Sequence, residues 1–185
     1  MTKYDLTDFI FKEKVIPSEV CDEVINNIKD KDWQKHIWYN SVDDFRHSFN
    51  EDELDILSDQ ESFKLHSYVN QSIVKYAEIH KDMDSSIVEK HGSLRFNRYS
   101  PGQKMRKHCD HIYDLFDGTK RGIPVLSIVG NLNDDYEGGE FKFWDDHVVK
   151  FGKGDIMIFP SLFLYPHRVE PPTRGVRYSF VCWAY

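Results

Sequence analysis

The length and composition of the chain are those of a small folded protein. The chain has 185 residues, enough for one domain with a hydrophobic core and hardly enough for two. Hydrophobic residues make up 40% and aromatic residues 15%, which excludes wholesale disorder. The net charge of −7 argues against broad binding to nucleic acid or to an anionic membrane, so we expect neither as a partner.

The negative charge is concentrated in the N-terminal half. Residues 1–90 carry 11 Lys and Arg against 20 Asp and Glu, whereas residues 91–185 carry 13 against 11. The C-terminal half is therefore slightly basic, which suits an anionic small molecule, although an ordinary solvated surface gives the same balance.

The sequence lacks the patterns of an export signal and of a membrane span. The N-terminus has no basic stretch followed by an apolar one. The longest uncharged run, residues 156–166, contains two prolines and is too short to cross a bilayer. Three cysteines, Cys21, Cys109 and Cys182, form an odd number without metal-type spacing. The simplest interpretation is a reduced, cytoplasmic compartment.

The first half of the chain predicts a short strand and two helices. The strand is expected over residues 9–16, and Pro17-Ser18 then opens a helix with Ser18 as its N-cap. The apolar face of that helix holds Val20, Val24, Ile25 and Ile28. A second helical pattern covers residues 61–80. Because each pattern has a single apolar stripe, we expect residues 1–90 to support the rest of the fold rather than to recognise a substrate.

From residue 90 onward, short β-rich runs alternate with turn residues. The predicted strands lie near residues 93–99, 104–109, 123–132, 139–144, 147–151, 155–160, 165–170 and 175–184. Eight strands preceded by helices predict a mainly β, α+β fold, a double-stranded β-helix or jelly-roll barrel with N-terminal helices packed on one sheet. We expect a single domain over residues 1–185, with a helical support region (1–90) and a jelly-roll catalytic core (91–185).

The last predicted strand has two largely apolar faces. One face holds Val176, Tyr178, Phe180, Cys182 and Ala184, and the other holds Arg177, Ser179, Val181 and Trp183. Both faces should therefore be covered, one by helices and one by the opposing sheet. Arg177 would then point into the barrel, where a buried guanidinium needs an anion or a carboxylate partner.

His108 and Asp110 are candidate metal ligands. They are two residues apart, so in an extended chain both side chains face the same way while Cys109 faces away. With a second histidine they would form a facial triad, which holds iron and leaves coordination positions open. The pair alone is weak evidence, and a solvated loop is the alternative. His111 is a competing ligand, but it would point away from Asp110.

His167 is the candidate third ligand. It follows Pro166, which favours extended backbone, although a structural histidine bonded to the backbone is the alternative. A tight turn over residues 171–175 would make the strands of His167 and Arg177 antiparallel neighbours and place both on one pocket wall. The guanidinium fork of Arg177 suits a carboxylate cosubstrate, to which Ser179 could also donate.

Eight short motifs follow one another between Leu94 and the C-terminus. They are Arg98-Tyr99-Ser100-Pro101-Gly102, His108-Cys109-Asp110, Leu132-Asn133, Gly138-Gly139-Glu140, Gly154-Asp155, Phe159-Pro160, His167-Arg168-Val169 and Gly175-Val176-Arg177-Tyr178-Ser179. In this order they resemble the iron(II)- and 2-oxoglutarate-dependent oxygenases, close to the prolyl 4-hydroxylase-like branch. The resemblance covers about half of the chain, and the ordered set is far more specific than any single motif.

The resemblance implies a metal site and a cosubstrate site. His108, Asp110 and His167 would bind Fe(II), and Arg177 would form a salt bridge with the distal carboxylate of 2-oxoglutarate. Tyr99 matches a tyrosine that contacts the cosubstrate in some relatives, with core packing as the alternative.

The inner face of the predicted strand 123–132 is a second place where relatives line the cosubstrate pocket. Asn131 and Ser127 occupy that face in this chain. Some hydroxylases of this branch place a tyrosine near Asn131, so the chain departs from their pattern there. This departure concerns the hydrogen bonds to the cosubstrate and leaves the metal ligands unaffected.

The implied activity is that of a dioxygenase that hydroxylates a C–H bond and releases succinate and CO₂, with ascorbate as a candidate supporting reductant. Family analogy favours a prolyl residue of a peptide or protein as substrate. A free amino acid or another small molecule is the alternative substrate, and a non-catalytic metal-binding jelly roll is the alternative of another class. The loop 113–121 is interpreted either as a lid or as an ordinary surface loop.

Overall fold

The computed structural model describes residues 5–39, 47–48, 52–58, 63–80, 88, 90–110 and 124–185. The described helices are a 3₁₀ turn (Leu6–Phe9), α1 (Ser18–Ile28) and α2 (Phe63–Ile79). The described strands of the N-terminal half are β1 (Phe11–Lys14), β2 (Gln34–Lys35), β3 (Trp38–Tyr39), β4 (His47–Ser48) and β5 (Asp55–Ser58). Those of the C-terminal half are β6 (Arg95–Tyr99), β7 (Met105–His108), β8 (Leu126–Asn131), β9 (Glu137–Gly138), β10 (Phe141–Phe143), β11 (His147–Val149), β12 (Asp155–Pro160), β13 (His167–Val169), β14 (Pro172–Arg174) and β15 (Arg177–Ala184).

Two antiparallel sheets form the body of the protein. The larger sheet has seven strands in the order β1-β12-β8-β15-β6-β5-β2, and the smaller has four in the order β11-β10-β13-β7. Side chains from both sheets fill one hydrophobic cluster, including Val129 and Val181 from the larger sheet and Phe141 and Val169 from the smaller. The sheets therefore face each other across a shared interior, and the predicted mainly β jelly roll is confirmed.

The two helices cover the outer face of the larger sheet. Cys21, Val24 and Ile28 of α1 lie in one buried cluster with residues of α2 and with Phe180 of β15. Residues of β15 thus alternate between the helix-facing cluster and the interior between the sheets, as the two apolar faces of this strand predict. Neither described helix combines the length and the apolar character needed to cross a membrane.

Two details of the predicted helices are wrong. Ser18 is the first residue of α1 rather than its N-cap, because extended Pro17 (φ −57°, ψ 144°) takes the cap position and makes no side-chain cap bond. The pattern over residues 61–80 also counts Val74 and Ile79 among the apolar positions of α2, but neither is buried. Val74 is 58% exposed and Ile79 is 53% exposed, since neither lies on the face that packs against the sheet.

The predicted tight turn between His167 and Arg177 is wrong. Residues 172–174 form β14, which pairs with β9, and the chain crosses there from the smaller sheet to the larger one. The two prolines at 171 and 172 favour extended backbone, which suits a short paired strand better than a tight turn. His167 and Arg177 consequently approach each other from opposite sheets and not from adjacent strands.

Candidate active site

The candidate metal ligands meet at the edge where β7 ends and β13 begins. His108 and His167 are cross-strand partners in the pairing of these two strands, and Asp110 follows two residues after β7. One ligand atom from each of the three side chains lies within 4.8 Å of the other two. The Nε2 atoms of His108 and His167 lie 3.3 Å and 3.9 Å from Oδ1 of Asp110. These three side chains fit a single metal ion.

Backbone carbonyls orient both imidazole rings. Nδ1 of His108 lies 2.9 Å from the carbonyl oxygen of Arg106, and Nδ1 of His167 lies 3.0 Å from that of Tyr165. A carbonyl oxygen only accepts, so each Nδ1 carries the proton and donates it. A neutral ring with its proton on Nδ1 has its lone pair on Nε2, which is the tautomer that a metal ligand requires.

The environment also sets the charges that a metal site needs. Burial acts to raise the pKa of Asp110, but its interactions with His108, His167 and the hydroxyl of Ser127 outweigh it and hold that pKa below its usual range. Burial lowers the pKa of His167 to about 4, although Asp110 opposes this shift. At neutral pH the site thus offers one carboxylate and neutral imidazole, the forms that bind metal ions.

Neighbouring side chains hold the ligands in place. Ser127 Oγ donates to Oδ2 of Asp110 at 2.6 Å, leaving Oδ1 toward the histidines. The ring of Phe141 stacks on that of His167 at a centroid distance of 5.3 Å and an interplanar angle of 12°. Phe159 meets the same imidazole edge to face at 5.0 Å. This packing restricts the ring and keeps the site apolar on its inner side.

Arg177 is the second distinctive group of the site. It is only 1% exposed, and its Nε donates to the hydroxyl of Tyr136 at 3.2 Å. Its terminal nitrogens Nη1 and Nη2 are buried and make no hydrogen bond in the structure. The ring of Tyr99 lies 5.1 Å from the guanidinium carbon, and Ser179 Oγ is also buried without a partner. A carboxylate placed here would satisfy the unpaired donors.

The metal ligands and Arg177 line one cavity between the two sheets. The cavity is partly open to solvent, and Tyr99 and Ser179 also contribute to its wall. These residues were predicted to share one pocket wall on adjacent strands, and they do share a cavity, but its wall is formed by two sheets.

Ser127 and Asn131 do not line this cavity, although they were predicted to contact the cosubstrate there. Ser127 bonds Asp110 and lies 2.7 Å from Ser161 Oγ, so it positions a metal ligand. The amide of Asn131 donates to the carbonyl oxygens of Asn133 and Phe151, at 2.7 Å and 3.2 Å. The structure therefore uses both polar side chains to hold the protein itself.

Other candidates of the sequence analysis have different outcomes. The thiol of Cys109 donates to the carbonyl oxygen of Phe163 and does not join the metal group, as the alternation predicts. His111 and the loop 113–121 lie outside the described residues, so the competing ligand and the lid stay predictions.

Three residues of the site were missed by the sequence reasoning. Tyr136 bonds the side chains of Arg177 and Asn131, but it lies between strands, where no periodicity marks it. Phe141 was assigned only to a strand. Arg95 lines the cavity, and the alternation of β6 could have revealed it because it lies four residues before Tyr99.

Solved prolyl hydroxylase structures share the fold of this chain. A prolyl hydroxylase in complex with a hypoxia inducible factor oxygen degradation domain peptide fragment, from Trichoplax adhaerens, has a TM-score of 0.70 at 16% identity, covering 97% of this chain and 84% of that one. A viral collagen prolyl hydroxylase from Paramecium Bursaria Chlorella virus-1, as a 2OG complex, has a TM-score of 0.66 at 16% identity, covering 95% and 94%. A prolyl-4-hydroxylase from Pseudomonas putida has a TM-score of 0.65 at 18% identity, covering 95% and 91%.

Sequence comparisons identify the family. PKHD-type hydroxylases from Methylobacterium nodulans and Delftia acidovorans are each 37% identical to this chain, over 97 and 99 residues that cover 48% and 49% of it. The aligned segments span 41% and 42% of these relatives, so the match reaches less than half of their length. The model of the 2OG-Fe(II) oxygenase superfamily matches residues 94–185. The chain therefore belongs to the 2OG-Fe(II) oxygenase superfamily and resembles its prolyl 4-hydroxylase-like members.

Proposed function

We propose that this protein is an Fe(II)- and 2-oxoglutarate-dependent dioxygenase that hydroxylates a prolyl residue of a peptide or protein. One observation carries the proposal: a cavity has a His-Asp-His group in one part of its wall and a buried guanidinium with two unpaired nitrogens in another. The first suits iron, and the second suits the distal carboxylate of 2-oxoglutarate.

The side chains of the cavity would each act on one part of the cosubstrate. Nη1 and Nη2 of Arg177 would donate to its distal carboxylate, and Ser179 Oγ would add a third donor. The ring of Tyr99 would pack against its methylene groups. These contacts hold the 2-oxo acid end toward the three metal ligands and remove the freedom that the reactants have in water.

Bound iron would supply the activation of dioxygen, which no side chain of the site can perform. In the overall reaction one oxygen atom enters succinate as CO₂ leaves, and the other is inserted into the C–H bond of the substrate to form the hydroxyl group. His108, Asp110 and His167 would supply three ligands to the iron, and a metal with three protein ligands would keep coordination positions open for the reactants. The aromatic wall of Phe141 and Phe159 would limit the access of water.

The prolyl substrate is supported by the relatives and neighbours, which are hydroxylases and prolyl hydroxylases. A free amino acid or another small molecule is the second candidate. A non-catalytic metal-binding jelly roll is less well supported, because such a protein would have no use for the unpaired donors of Arg177.

Binding and turnover test the proposal in two steps. The purified protein is first titrated with 2-oxoglutarate without oxygen in the presence of Fe(II), and then assayed for succinate with peptides and amino acids while mass spectrometry records a gain of one oxygen atom. The wild-type protein should bind 2-oxoglutarate and form succinate, whereas His167→Ala should fold and form none. Absence of both binding and succinate formation in the wild-type protein would refute the proposal.

Three further expectations accompany the proposed activity. We propose that residues 1–185 form a single domain in which residues 1–90 buttress the larger sheet, since helix and strand residues share one buried cluster. We also propose a cytoplasmic location, which the free thiols of all three cysteines support. Ascorbate is proposed as a supporting reductant, to be tested by its effect on the number of turnovers.

A further inference from the structure

A second arginine faces the interior between the sheets. Arg95 lies on β6 and lines the same cavity as the metal ligands. On β15 its cross-strand partner is Val181, whereas the partner of Arg177 on β6 is Tyr99. Arg95 and Tyr99 are four residues apart, so the backbone positions of the two arginine sites are separated by about 13 Å along the sheet. Arg95 and Arg177 could therefore bind two separate anionic groups.

Arg95 has no directly paired counterion among the residues that the structure describes. Its guanidinium carbon lies 5.4 Å from the ring centroid of Trp183, which holds the group from one side. Its Nε is buried and has no hydrogen-bond partner in the part of the chain that the structure describes. None of the residues that the structure describes forms an ion pair with it. Burial lowers the pKa of Arg95, which is the electrostatic cost of keeping an arginine here, although Tyr99 and the carboxylate of Asp110 oppose this shift and an arginine stays protonated.

Neither the metal site nor the cosubstrate provides that counterion. Asp110 already bonds Ser127 and lies between the two histidines, so its oxygens are committed to the metal site. The proposed function assigns one carboxylate of 2-oxoglutarate to Arg177 and the 2-oxo acid end to the metal. No carboxylate of the cosubstrate is then left for Arg95.

We infer that Arg95 binds a carboxylate of the substrate and thereby selects acidic substrates. This inference rests on the proposed function and deepens it. The carboxylate would belong to a free amino acid or to an acidic side chain beside the hydroxylated residue of a peptide. Trp183 would keep the guanidinium plane in position, so that a bidentate pair with the carboxylate fixes the substrate relative to the metal.

Matched carboxylate and amide probes test this inference by binding alone. The protein is loaded with Mn(II), which prevents turnover, and the probes are titrated with and without 2-oxoglutarate. One pair is L-proline and L-prolinamide, and the other is the capped peptides Ala-Pro-Glu-Ala and Ala-Pro-Gln-Ala. The wild-type protein should bind the carboxylate member of at least one pair roughly tenfold more tightly or better, as expected for a buried charge-assisted pair. The pair that shows this preference identifies the source of the carboxylate.

Three variants test whether Arg95 causes the preference for the carboxylate probe. Arg95→Met should abolish this preference, because it removes the positive charge. Arg95→Gln removes the charge but keeps a polar side chain, so it serves as the second variant if Arg95→Met does not fold, and it should also abolish the preference. Arg98→Met is the matched control, because Arg98 lies on the same strand but pairs with Asp55 on the other face, and it should keep the preference. Titration of 2-oxoglutarate into each variant shows separately whether the cosubstrate site is intact.

Three results would overturn the inference. One is equal affinity of the wild-type protein for carboxylate and amide, which includes binding of neither probe. Another is a preference that survives in both Arg95 variants. The third is a loss of 2-oxoglutarate affinity in these variants, which would assign Arg95 to the cosubstrate. If the wild-type protein binds no 2-oxoglutarate, the proposed function fails, and the probe titrations without cosubstrate still decide the role of Arg95.

Discussion

Replacing Arg177 with methionine separates the affinity for 2-oxoglutarate from the stability of the fold. Arg177 is 1% exposed, and its two terminal nitrogens have no hydrogen-bond partner among the described residues. A carboxylate bound there would form charge-assisted hydrogen bonds with a buried guanidinium. Truncating one partner of such a buried pair costs about 2 to 5 kcal/mol, so the dissociation constant should rise roughly 30-fold to several thousand-fold.

The stability of the ligand-free protein should not fall with the affinity for 2-oxoglutarate. Without a ligand, Arg177 is a buried charge with unpaired donors, which opposes folding. Methionine has a similar length and no charge, so we expect the free energy of unfolding of R177M to be within about 1 kcal/mol of wild type or above it. R177K should bind 2-oxoglutarate with intermediate affinity, because lysine keeps the charge but loses the fork.

The assay combines an anaerobic titration with a chemical denaturation. Fe(II)-loaded protein is titrated with 2-oxoglutarate, and the unfolding of metal-free protein is followed in urea. Arg174→Met is the matched control, because Arg174 is highly exposed, pairs with Glu137 and lies outside the cavity. Affinity of R177M within about threefold of wild type would refute the role of Arg177, since it corresponds to less than about 1 kcal/mol.

Three other substitutions test the metal site, the packing and the pH dependence. Ser127→Ala removes the hydrogen bond to Asp110, so metal titration should show roughly 10- to 100-fold weaker Fe(II) binding. Gly130→Ala should lower the free energy of unfolding by about 1 to 3 kcal/mol, because its Cβ would lie 2.0 Å from the ring of Phe180. Burial lowers the pKa of His36 to about 4, whereas the unfolded histidine titrates near 6.5. Stability should therefore fall as pH falls through this window, and His36→Gln should reduce the loss at about pH 5 by about 2 kcal/mol.

Control variants accompany the serine and glycine substitutions, and specific results would contradict the packing and pH expectations. Ser179→Ala leaves the hydrogen bond to Asp110 intact and should bind Fe(II) like wild type. Gly152→Ala places its Cβ in ordinary contact, 3.6 Å from Asp155 Oδ2, and should change stability little. Equal losses for the two glycine variants would contradict the packing argument. An identical pH dependence of unfolding in wild type and His36→Gln would contradict the assigned titration.

Local sequence patterns carried most of the prediction of the fold. Alternation along residues 175–184 marked β15 as a strand covered on both sides, which is how it packs between the helices and the other sheet. The two-residue spacing of His108 and Asp110 placed both side chains on one side of the chain, as the metal group shows. Such patterns succeed because the directions of side chains in a strand depend only on the local backbone.

Local sequence patterns did not predict the path of the segment that connects the two sheets. Residues 171–175 have the composition of a turn, but they form part of a strand that leads from one sheet to the other. Whether such a segment turns or extends depends on a partner strand about 35 residues earlier in the chain, at β9. The sequence analysis therefore predicted that His167 and Arg177 share a pocket but assigned them to adjacent strands of one sheet.

The sequence by itself determined the chemistry that is available, and the tertiary structure decided which groups carry it. The spacing and types of His108, Asp110, His167 and Arg177 already indicated a metal and a carboxylate. Only the packing showed that Ser127 bonds Asp110 and that the buried Nε of Arg95 has no hydrogen-bond partner among the described residues. The physical reason is that hydrogen-bond partners and burial are properties of residues distant in sequence, which meet only when the two sheets close on each other.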